Sequence, residues 1–390
     1  MSANSCLVIS DSHYHNFPSF GGQRIPEGTA IQDEQSGDSR FPGCNQRAVR
    51  LFNATERAFA YAKKRDIKTV FHLGDMFHTK ANVPLAVLNG ATKVFLSGRA
   101  MGLNFYALPG NHDYAGKSPR WTTLHTLFPM YDLKTSQAPD LRLITIGEYV
   151  LAAVMVPYMS SKASILEALS DLCPRVAAAL EDGSATHSAL FMHTSVDGAT
   201  VGPHEYVMRE GLKMSEIPFA YFNTVISGHY HKHQRMLRGE DEFIYAGAIA
   251  QHNFGERDYT PGYLRLDLTP EGIDVVQVEN KKTPRFHSLV CTTREELEAV
   301  AEELKTAETP DYVHIDWQGD VYPNDVELPE EWVIVEKAHT SALVKPRIEV
   351  SLTKDTPETL VDKYVAMTAD PEDYKNFVDL GLEIIHGGDE

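Results

Sequence analysis

Thr69-Val-Phe-His-Leu-Gly-Asp-Met-Phe-His78 joins a short apolar run to a glycine and then to acidic and imidazole side chains. An apolar run of this length that ends at a turn residue is typical of a strand buried in a sheet, so Thr69–Leu73 is predicted to be one. Gly74 would let the backbone turn sharply or approach other groups closely. Asp75 is therefore predicted to lie in a site at the carboxyl end of this strand.

The same pattern of a buried strand followed by polar side chains occurs four more times. The further strand candidates are Cys6–Ser10, Asn104–Leu108, Ser188–Met192 and Asn223–Ser227. The residues that follow them are Asp11 and His13, Gly110-Asn111-His112-Asp113, His193, and Gly228-His229-Tyr-His231. Side chains at alternate positions of an extended segment point to the same side, which groups Asp11 with His13 and His229 with His231.

Helix-like segments separate the first strands of the chain. Apolar residues recur at helical spacing over Arg47–Arg65 and over Pro84–Gly98. Alternation of strands and helices predicts an α/β fold in which much of the sheet is buried. Because ligands of such folds bind at the carboxyl ends of the strands, the five polar loops should converge at one edge.

These residue types suit a pair of metal ions. Imidazole and carboxylate ligands together favour Mn, Fe or Zn over Ca, which prefers oxygen ligands. A single carboxylate can bridge two ions at the ~3.5–4 Å spacing of two-metal hydrolases, and Asp75 is the candidate for that position. Such a pair lowers the pKa of a water between the ions and clamps phosphate oxygens. The residues therefore predict phosphate ester hydrolysis without a nucleophilic Ser or Cys.

Each of these side chains, taken singly, also has an ordinary structural interpretation. An Asp can cap a helix, an Asn can form a turn, and a core His can satisfy its hydrogen bonds locally. The complete set, in this order and with each member after a strand candidate, favours the metal site. A scaffold that keeps the fold without catalysis would require missing ligands, and none is missing.

The charge of the chain is unevenly distributed. Residues 1–267 hold 26 acidic and 25 basic side chains, a net charge of −1, whereas residues 268–390 hold 28 acidic and 11 basic, a net charge of −17. DNA binding therefore cannot be inferred from bulk charge. The four cysteines lack CxxC spacing, which favours a reducing cytoplasm over a disulfide framework. No apolar run reaches the roughly 18 residues of a membrane-spanning helix, so no membrane partner is expected.

The chain is predicted to have three parts. Residues 1–268 form the α/β domain, with an insertion at 14–46 that is rich in Gly, Pro and Ser. Residues 269–350 form a small α+β domain, and 351–390 form an acidic tail. The predicted elements after residue 261 are strands Gly262–Leu268, Asp274–Val278, Tyr312–Trp317 and Trp332–Val335, a helix Arg294–Lys305 capped by Thr292 or Thr293, and one or two amphipathic helices within Pro357–Ile385.

The five motifs resemble those of the calcineurin-like metallophosphoesterases, and further details resemble the SbcD type of DNA repair exonuclease subunit. Those details are Gly74–His78 followed by Pro84, Tyr245–Ala248 leading to Asn253–Glu256, and Pro261–Asp267. The resemblance implies a metallophosphoesterase-type layered α/β sandwich with a smaller C-terminal α+β capping domain that contacts DNA. The 14–46 insertion, which Tyr14 and His15 open, departs from the usual pattern of that group.

The resemblance also implies roles for individual residues. One metal would be held by Asp11, His13, Asp75 and His231, and the second by Asp75, Asn111, His193 and His229. His112 would contact the scissile phosphate and protonate the leaving oxygen, and Asp113 would orient His112. The implied cofactors are two divalent ions, Mn first, with Mg, Fe or Zn as alternatives. His78 is expected near the site or, equally, at a helix start without a role, and His15 is expected on the surface.

The implied function is that of a nuclease subunit acting on DNA ends and single strands in repair, recombination or replication. Its implied partners are an SbcC-type coiled-coil ATPase and a second copy of the chain in a homodimer. The alternative is a metallophosphatase that acts on small nucleotides or phosphoproteins. A surface spanning several nucleotides would distinguish a nuclease from an enzyme that needs only a small pocket.

Overall fold

The computed structural model describes residues 4–17, 38–80, 82–114, 122–124, 134–135, 138–307, 311–329 and 333–337. The chain divides into one compact unit of Met1–Asp316 with Pro323–Glu336, and a second of Trp317–Tyr322 with Lys337–Glu390. The helices predicted within Pro357–Ile385, the 351–390 tail and the middle of the 14–46 insertion lie outside the described residues. The first unit contains the predicted α/β domain.

Two six-stranded mixed sheets form the centre of this unit. The strands of the first sheet, in chain order, are β1 (Ser5–Ile9), β2 (Thr69–His72), β3 (Asn104–Ala107), β4 (Lys134–Thr135), β13 (Gly262–Thr269) and β14 (Gly272–Glu279). They are arranged as β14-β13-β1-β2-β3-β4, with β1, β2, β3 and β4 parallel to one another. β13 pairs antiparallel with β1, and β14 pairs antiparallel with β13.

The second sheet has the order β11-β12-β10-β7-β6-β5. Its strands are β5 (Asp140–Ile146), β6 (Tyr149–Val156), β7 (His187–His193), β10 (Thr224–Gly228), β11 (Gln234–Arg238) and β12 (Asp241–Tyr245). β6, β7, β10 and β12 are parallel, so their carboxyl ends meet at one edge. A short separate hairpin, β8 (Thr200–Val201) with β9 (Tyr206–Val207), lies between β7 and β10 in the chain.

Helices cover the outer faces of the two sheets, which pack on each other. Between the sheets the rings of Phe71 and Phe191 lie 4.5 Å apart, and each such buried side chain contributes about 1.5–3 kcal/mol through burial. The α-helices in the described residues are α1 (Gln46–Lys64), α2 (Leu85–Ala100), α3 (Lys162–Glu181) and α4 (Arg294–Thr306). The first two pack on the first sheet and α3 packs on the second. The predicted layered α/β sandwich is therefore confirmed.

The ends of α1 and α4 follow from their capping residues. The Asn45 side chain accepts a hydrogen bond from the Ala48 N–H at the start of α1, which satisfies an N–H that the helix itself cannot. Thr293 and Glu296 form a capping box at the start of α4, as the sequence predicted for Thr292 or Thr293.

The strand predicted over Asp274–Val278 belongs to the first sheet and not to the small domain, which corrects the boundary at residue 268. It is part of β14, and every residue of β14 pairs with β13. A tight turn between Thr269 and Gly272 connects the two strands. The small sheet that remains contains β15 (Phe286–Cys291), β16 (Tyr312–Trp317) and β17 (Val333–Lys337), with α4 beside it in the chain. None of the helices in the described part of the chain has the length and apolar character needed to cross a bilayer.

Candidate dinuclear metal centre

The polar residues predicted from the strand ends come together in space at the carboxyl ends of β1, β2, β3, β7 and β10. Four of them have left-handed backbone conformations, with φ of 50° at Asp11, 41° at His13, 52° at Asp75 and 96° at His229. Such conformations cost non-glycine residues of order 1–3 kcal/mol each and cluster at functional sites. The fold therefore holds these ligand types in strained positions.

Gly74 allows the loops after β2 and β3 to touch. It has a φ of +92°, and a Cβ built there would lie 2.5 Å from the Gly110 nitrogen and 2.6 Å from His193 Nδ1. No side chain fits into that space, so the close backbone approach predicted for this glycine is present.

One group of donor atoms combines β1 with the loop after β10. Single ligand atoms of Asp11, His13 and His231 all lie within 4.8 Å of one another. The Nε2 atoms of His13 and His231 are 3.0 Å apart, and His13 Nε2 is 3.5 Å from Asp75 Oδ2. These are the four residues predicted to hold the first metal.

A second group lies on the other side of Asp75. Ligand atoms of Asp75, His193 and His229 lie within 4.8 Å of one another. Asn111 Oδ1 is 3.1 Å from His193 Nε2 and 2.9 Å from His229 Nδ1. His193 Nε2 is 3.5 Å from Asp75 Oδ2, the same oxygen that His13 approaches. Asp75 thus joins the two groups, as a bridging carboxylate must.

Hydrogen bonds away from the centre orient three of the rings. His193 Nδ1 lies 2.7 Å from the Leu73 carbonyl, His231 Nδ1 lies 2.8 Å from Glu256 Oε1, and His229 Nε2 lies 2.9 Å from Ser195 Oγ. Each of these contacts leaves the other ring nitrogen facing the donor group. Metal-binding histidines are commonly fixed in this manner.

The buried charges of the site favour the binding of cations. Burial opposes protonation of His231, but the carboxylates of Glu256, Asp11 and Asp75 together raise the pKa of His231 to about 9. Burial likewise opposes protonation of His193, yet Asp75 raises its pKa to about 9. Protons on these rings balance buried carboxylates that divalent ions would otherwise balance, and metal binding would release them. The donor set therefore fits two divalent ions.

His112 and Asp113 lie beside the donor groups, but they are not paired as expected. The His112 N–H donates to Asp75 Oδ1 at 2.8 Å, and His112 Nδ1 lies 2.7 Å from the His78 carbonyl. The Asp113 carboxylate instead accepts backbone N–H bonds from Gly110, Met76 and Phe77. Asp113 thus holds together the loops after β2 and β3, and the His78 carbonyl orients the His112 ring. The catalytic roles of His112 and Asp113 stay predictions.

Three residues near the centre were missed or misplaced by sequence reasoning. Glu256 is buried and bonds His231, and His252 Nε2 lies 2.9 Å from the Asp11 carbonyl. Both follow β12 in the chain, within a stretch that contributed only to the family resemblance. His15 was expected on the surface, but it is 3% exposed, because backbone bonds join Tyr14 to Met76 and His78.

Replacing Glu256 with Gln is expected to weaken metal binding by about 10–100-fold. The substitution keeps the volume of the side chain but removes the charge that orients and polarises His231. Calorimetric titration with Mn²⁺ would measure this. Glu242→Gln is a matched control, since Glu242 pairs with Arg235 on the surface of the second sheet. Equal metal affinity in the two variants would show that Glu256 has no influence on the centre.

Comparison with known proteins agrees with this geometry. The model of the calcineurin-like phosphoesterase family matches residues 5–233, which contain every predicted ligand. No curated protein matches the chain.

Among solved structures, the chain is similar to a dimetal phosphatase from Danio rerio, with 11% identity, 72% of this chain and 97% of that chain covered, and a TM-score of 0.44. It is similar to GAP50, the anchor in the inner membrane complex of Plasmodium, with 13% identity, coverage of 72% and 86%, and a TM-score of 0.43. It is also similar to an archaeal phosphodiesterase, with 12% identity, coverage of 70% and 99%, and a TM-score of 0.31.

The family assignment depends on the sequence match, which spans more than half of the chain. That match ends just beyond His231, so it contains all five strand ends that build the two donor groups. The chain belongs to the calcineurin-like phosphoesterase family and is a metal-dependent phosphoesterase.

Proposed function

We propose that this chain is a two-metal phosphodiesterase that cleaves DNA, a nuclease subunit of the SbcD type acting in repair, recombination or replication. The observation that carries the two-metal part is the position of Asp75 Oδ2, 3.5 Å from His13 in one donor group and 3.5 Å from His193 in the other. The motif resemblance supports the nuclease part.

The residues have separate tasks in this proposal. Asp11, His13, Asp75 and His231 would hold one ion, and Asp75, Asn111, His193 and His229 the other. Bound ions would supply charge stabilisation for a phosphate ester and acidify a water. Manganese is the ion that we propose, because the ligands are both imidazoles and oxygens.

His112 is proposed to be the proton donor to the leaving oxygen. A ligand nitrogen of its ring lies within 4.8 Å of both His13 and Asp75 donor atoms, so the imidazole borders the first donor group. The contact from Nδ1 to the His78 carbonyl turns Nε2 towards the site. General acid catalysis by a histidine placed in this manner contributes about 10²–10⁴-fold to a rate.

The remaining parts of the proposal concern partners. An SbcC-type coiled-coil ATPase and a second copy of the chain are proposed from the motif resemblance, and the small sheet with α4 is proposed as the capping element that contacts DNA. Because residues 268–390 carry a net charge of −17, DNA must be held by local contacts and not by the field of the whole protein.

The substrate class can be tested with the full chain loaded with Mn²⁺. We expect hydrolysis of bis-p-nitrophenyl phosphate and of end-labelled linear DNA, and loss of both activities with a chelator. Parallel reactions with Mg²⁺ and Zn²⁺ would rank the metals. Efficient hydrolysis of p-nitrophenyl phosphate and nucleoside monophosphates, with every form of DNA left intact, would favour the phosphatase alternative instead.

A further inference from the structure

A groove leads away from the donor groups along the loop after β10. It has a volume of about 280 Å³ and begins at the metal ligand candidates His229 and His231. Its walls continue through Lys232, Asn253 and Tyr259, and Gly202 of the β8–β9 hairpin closes one side. The groove is larger than a water site and lies directly beside two of the candidate metal ligands.

The β8–β9 hairpin is fixed beside this groove by Tyr259, which lines the groove, and by Gln234 of β11. The Gly202 N–H donates to the Tyr259 hydroxyl. The Gln234 side chain accepts from the Thr200 N–H at 2.8 Å and donates to its carbonyl at 3.0 Å. These hydrogen bonds therefore hold the hairpin in place as one wall of the groove.

Lys232 supplies a positive charge next to the metal ligands. It follows His231 in the chain, and its amine contacts Thr200 Oγ1 at 3.4 Å and the carboxylate of Glu205. The Lys232 side chain is only 24% exposed, whereas that of Glu205 is 67% exposed. Exposed ion pairs are weak, so Glu205 can leave and an anionic ligand can take its place on the amine.

Tyr206 supplies a flat apolar surface on the same hairpin. Its residue is 63% exposed, and its ring packs over Gly202, where a Cβ would lie 3.5 Å from Tyr206 Cδ2. Tyr206 pairs across the hairpin with Val201, and Val201 lines the groove. Exposed aromatic rings beside a groove that contains a basic side chain are a common platform for stacking nucleic acid bases.

We propose that this groove is a subsite for the nucleotide next to the scissile phosphodiester, with Lys232 binding its phosphate and Tyr206 stacking on its base. The inference rests on the proposed function, because it needs a substrate with more than one phosphate. Glu205 occupies the amine of Lys232 until that substrate binds. The subsite would make the enzyme favour oligonucleotides over diesters that have a single phosphate.

Inhibition of bis-p-nitrophenyl phosphate hydrolysis tests the subsite without requiring DNA cleavage. The probes are a short phosphorothioate oligodeoxynucleotide and thymidine 5′-monophosphate, used with the Mn²⁺-loaded full chain. In Lys232→Gln the inhibition constant of the oligonucleotide should rise about tenfold, as expected for the loss of a charged hydrogen bond. The inhibition constant of the monophosphate should change by a smaller factor. Glu205→Gln should lower the oligonucleotide constant. Lys68→Gln is the matched control, since Lys68 pairs with Asp66 before β2, at the end of that strand away from Asp75.

The outcomes separate this inference from the nuclease assignment. If intact DNA survives but inhibition by the oligonucleotide depends on Lys232, the subsite stands and the nuclease assignment fails. If DNA is cleaved and Lys232→Gln behaves as Lys68→Gln, the nuclease assignment stands and the subsite is wrong. The subsite is also wrong if the oligonucleotide does not inhibit the unmodified protein. It is wrong as well if Lys232→Gln changes the inhibition constants of both probes by the same factor.

Discussion

Asp75→Asn is expected to lower turnover by about a thousandfold or more, because two-metal charge stabilisation contributes several kcal/mol and each 1.36 kcal/mol is tenfold in rate. Asn keeps the volume and an oxygen that can accept from the His112 N–H. It removes the charge that lies 3.5 Å from both His13 and His193. The paired binding of two ions should therefore be lost while the fold is kept.

The measurement is turnover of bis-p-nitrophenyl phosphate together with the number of Mn²⁺ ions bound per chain. Asp267→Asn is the control, because Asp267 pairs with Arg265 on β13, opposite Ser5 at the start of β1 and away from the donor groups. An Asp75→Asn protein that binds two ions and turns over normally would show that Asp75 is not a bridge.

His112→Ala is expected to lower DNA cleavage by about 10²–10⁴-fold while both ions remain bound, because the proposed role of the ring is to donate a proton and not to hold either metal. The loss should be smaller for bis-p-nitrophenyl phosphate. Its nitrophenolate is a stable leaving group that needs little protonation, whereas the sugar alkoxide of DNA needs a proton. The contrast between the two substrates is specific to a general acid.

Metal analysis of the same variant separates this role from a ligand role. His112 has a ring nitrogen within 4.8 Å of His13 and Asp75 donor atoms, so it is close enough to bind an ion. Loss of one ion in His112→Ala, with equal loss of activity on both substrates, would make His112 a ligand and leave the proton donor unidentified.

Sequence patterns indicated which polar residues would meet at the strand ends, because those residues follow buried strands directly. Asp11, Asp75, Asn111, His193 and His229 each lie within four residues of a predicted strand end, and parallel strands bring those ends together. Local sequence therefore carries most of the information about this centre. The left-handed backbone at Asp75 and His229 adds strain that no periodic pattern reveals.

Residues that depend on long-range packing were not predicted. Glu256 reaches His231 from a short helical turn after β12, and nothing near Glu256 in the chain marks it as a partner of a metal ligand. β14 was placed in the wrong domain because strand pairing with β13 is a tertiary contact. Helix α3 was not predicted. It contains Pro174, which interrupts a helical pattern, and burial of Leu169 and Val176 stabilises it nevertheless.

Electron paramagnetic resonance of the Mn²⁺-titrated protein would show whether one carboxylate bridges two ions in this centre. Ions bridged in that manner lie ~3.5–4 Å apart, so their spins couple. We predict uptake of two Mn²⁺ per chain and a coupled spectrum that disappears in Asp75→Asn. A single isolated ion, two uncoupled ions, or no uptake by the unmodified protein would contradict a dinuclear centre bridged by Asp75.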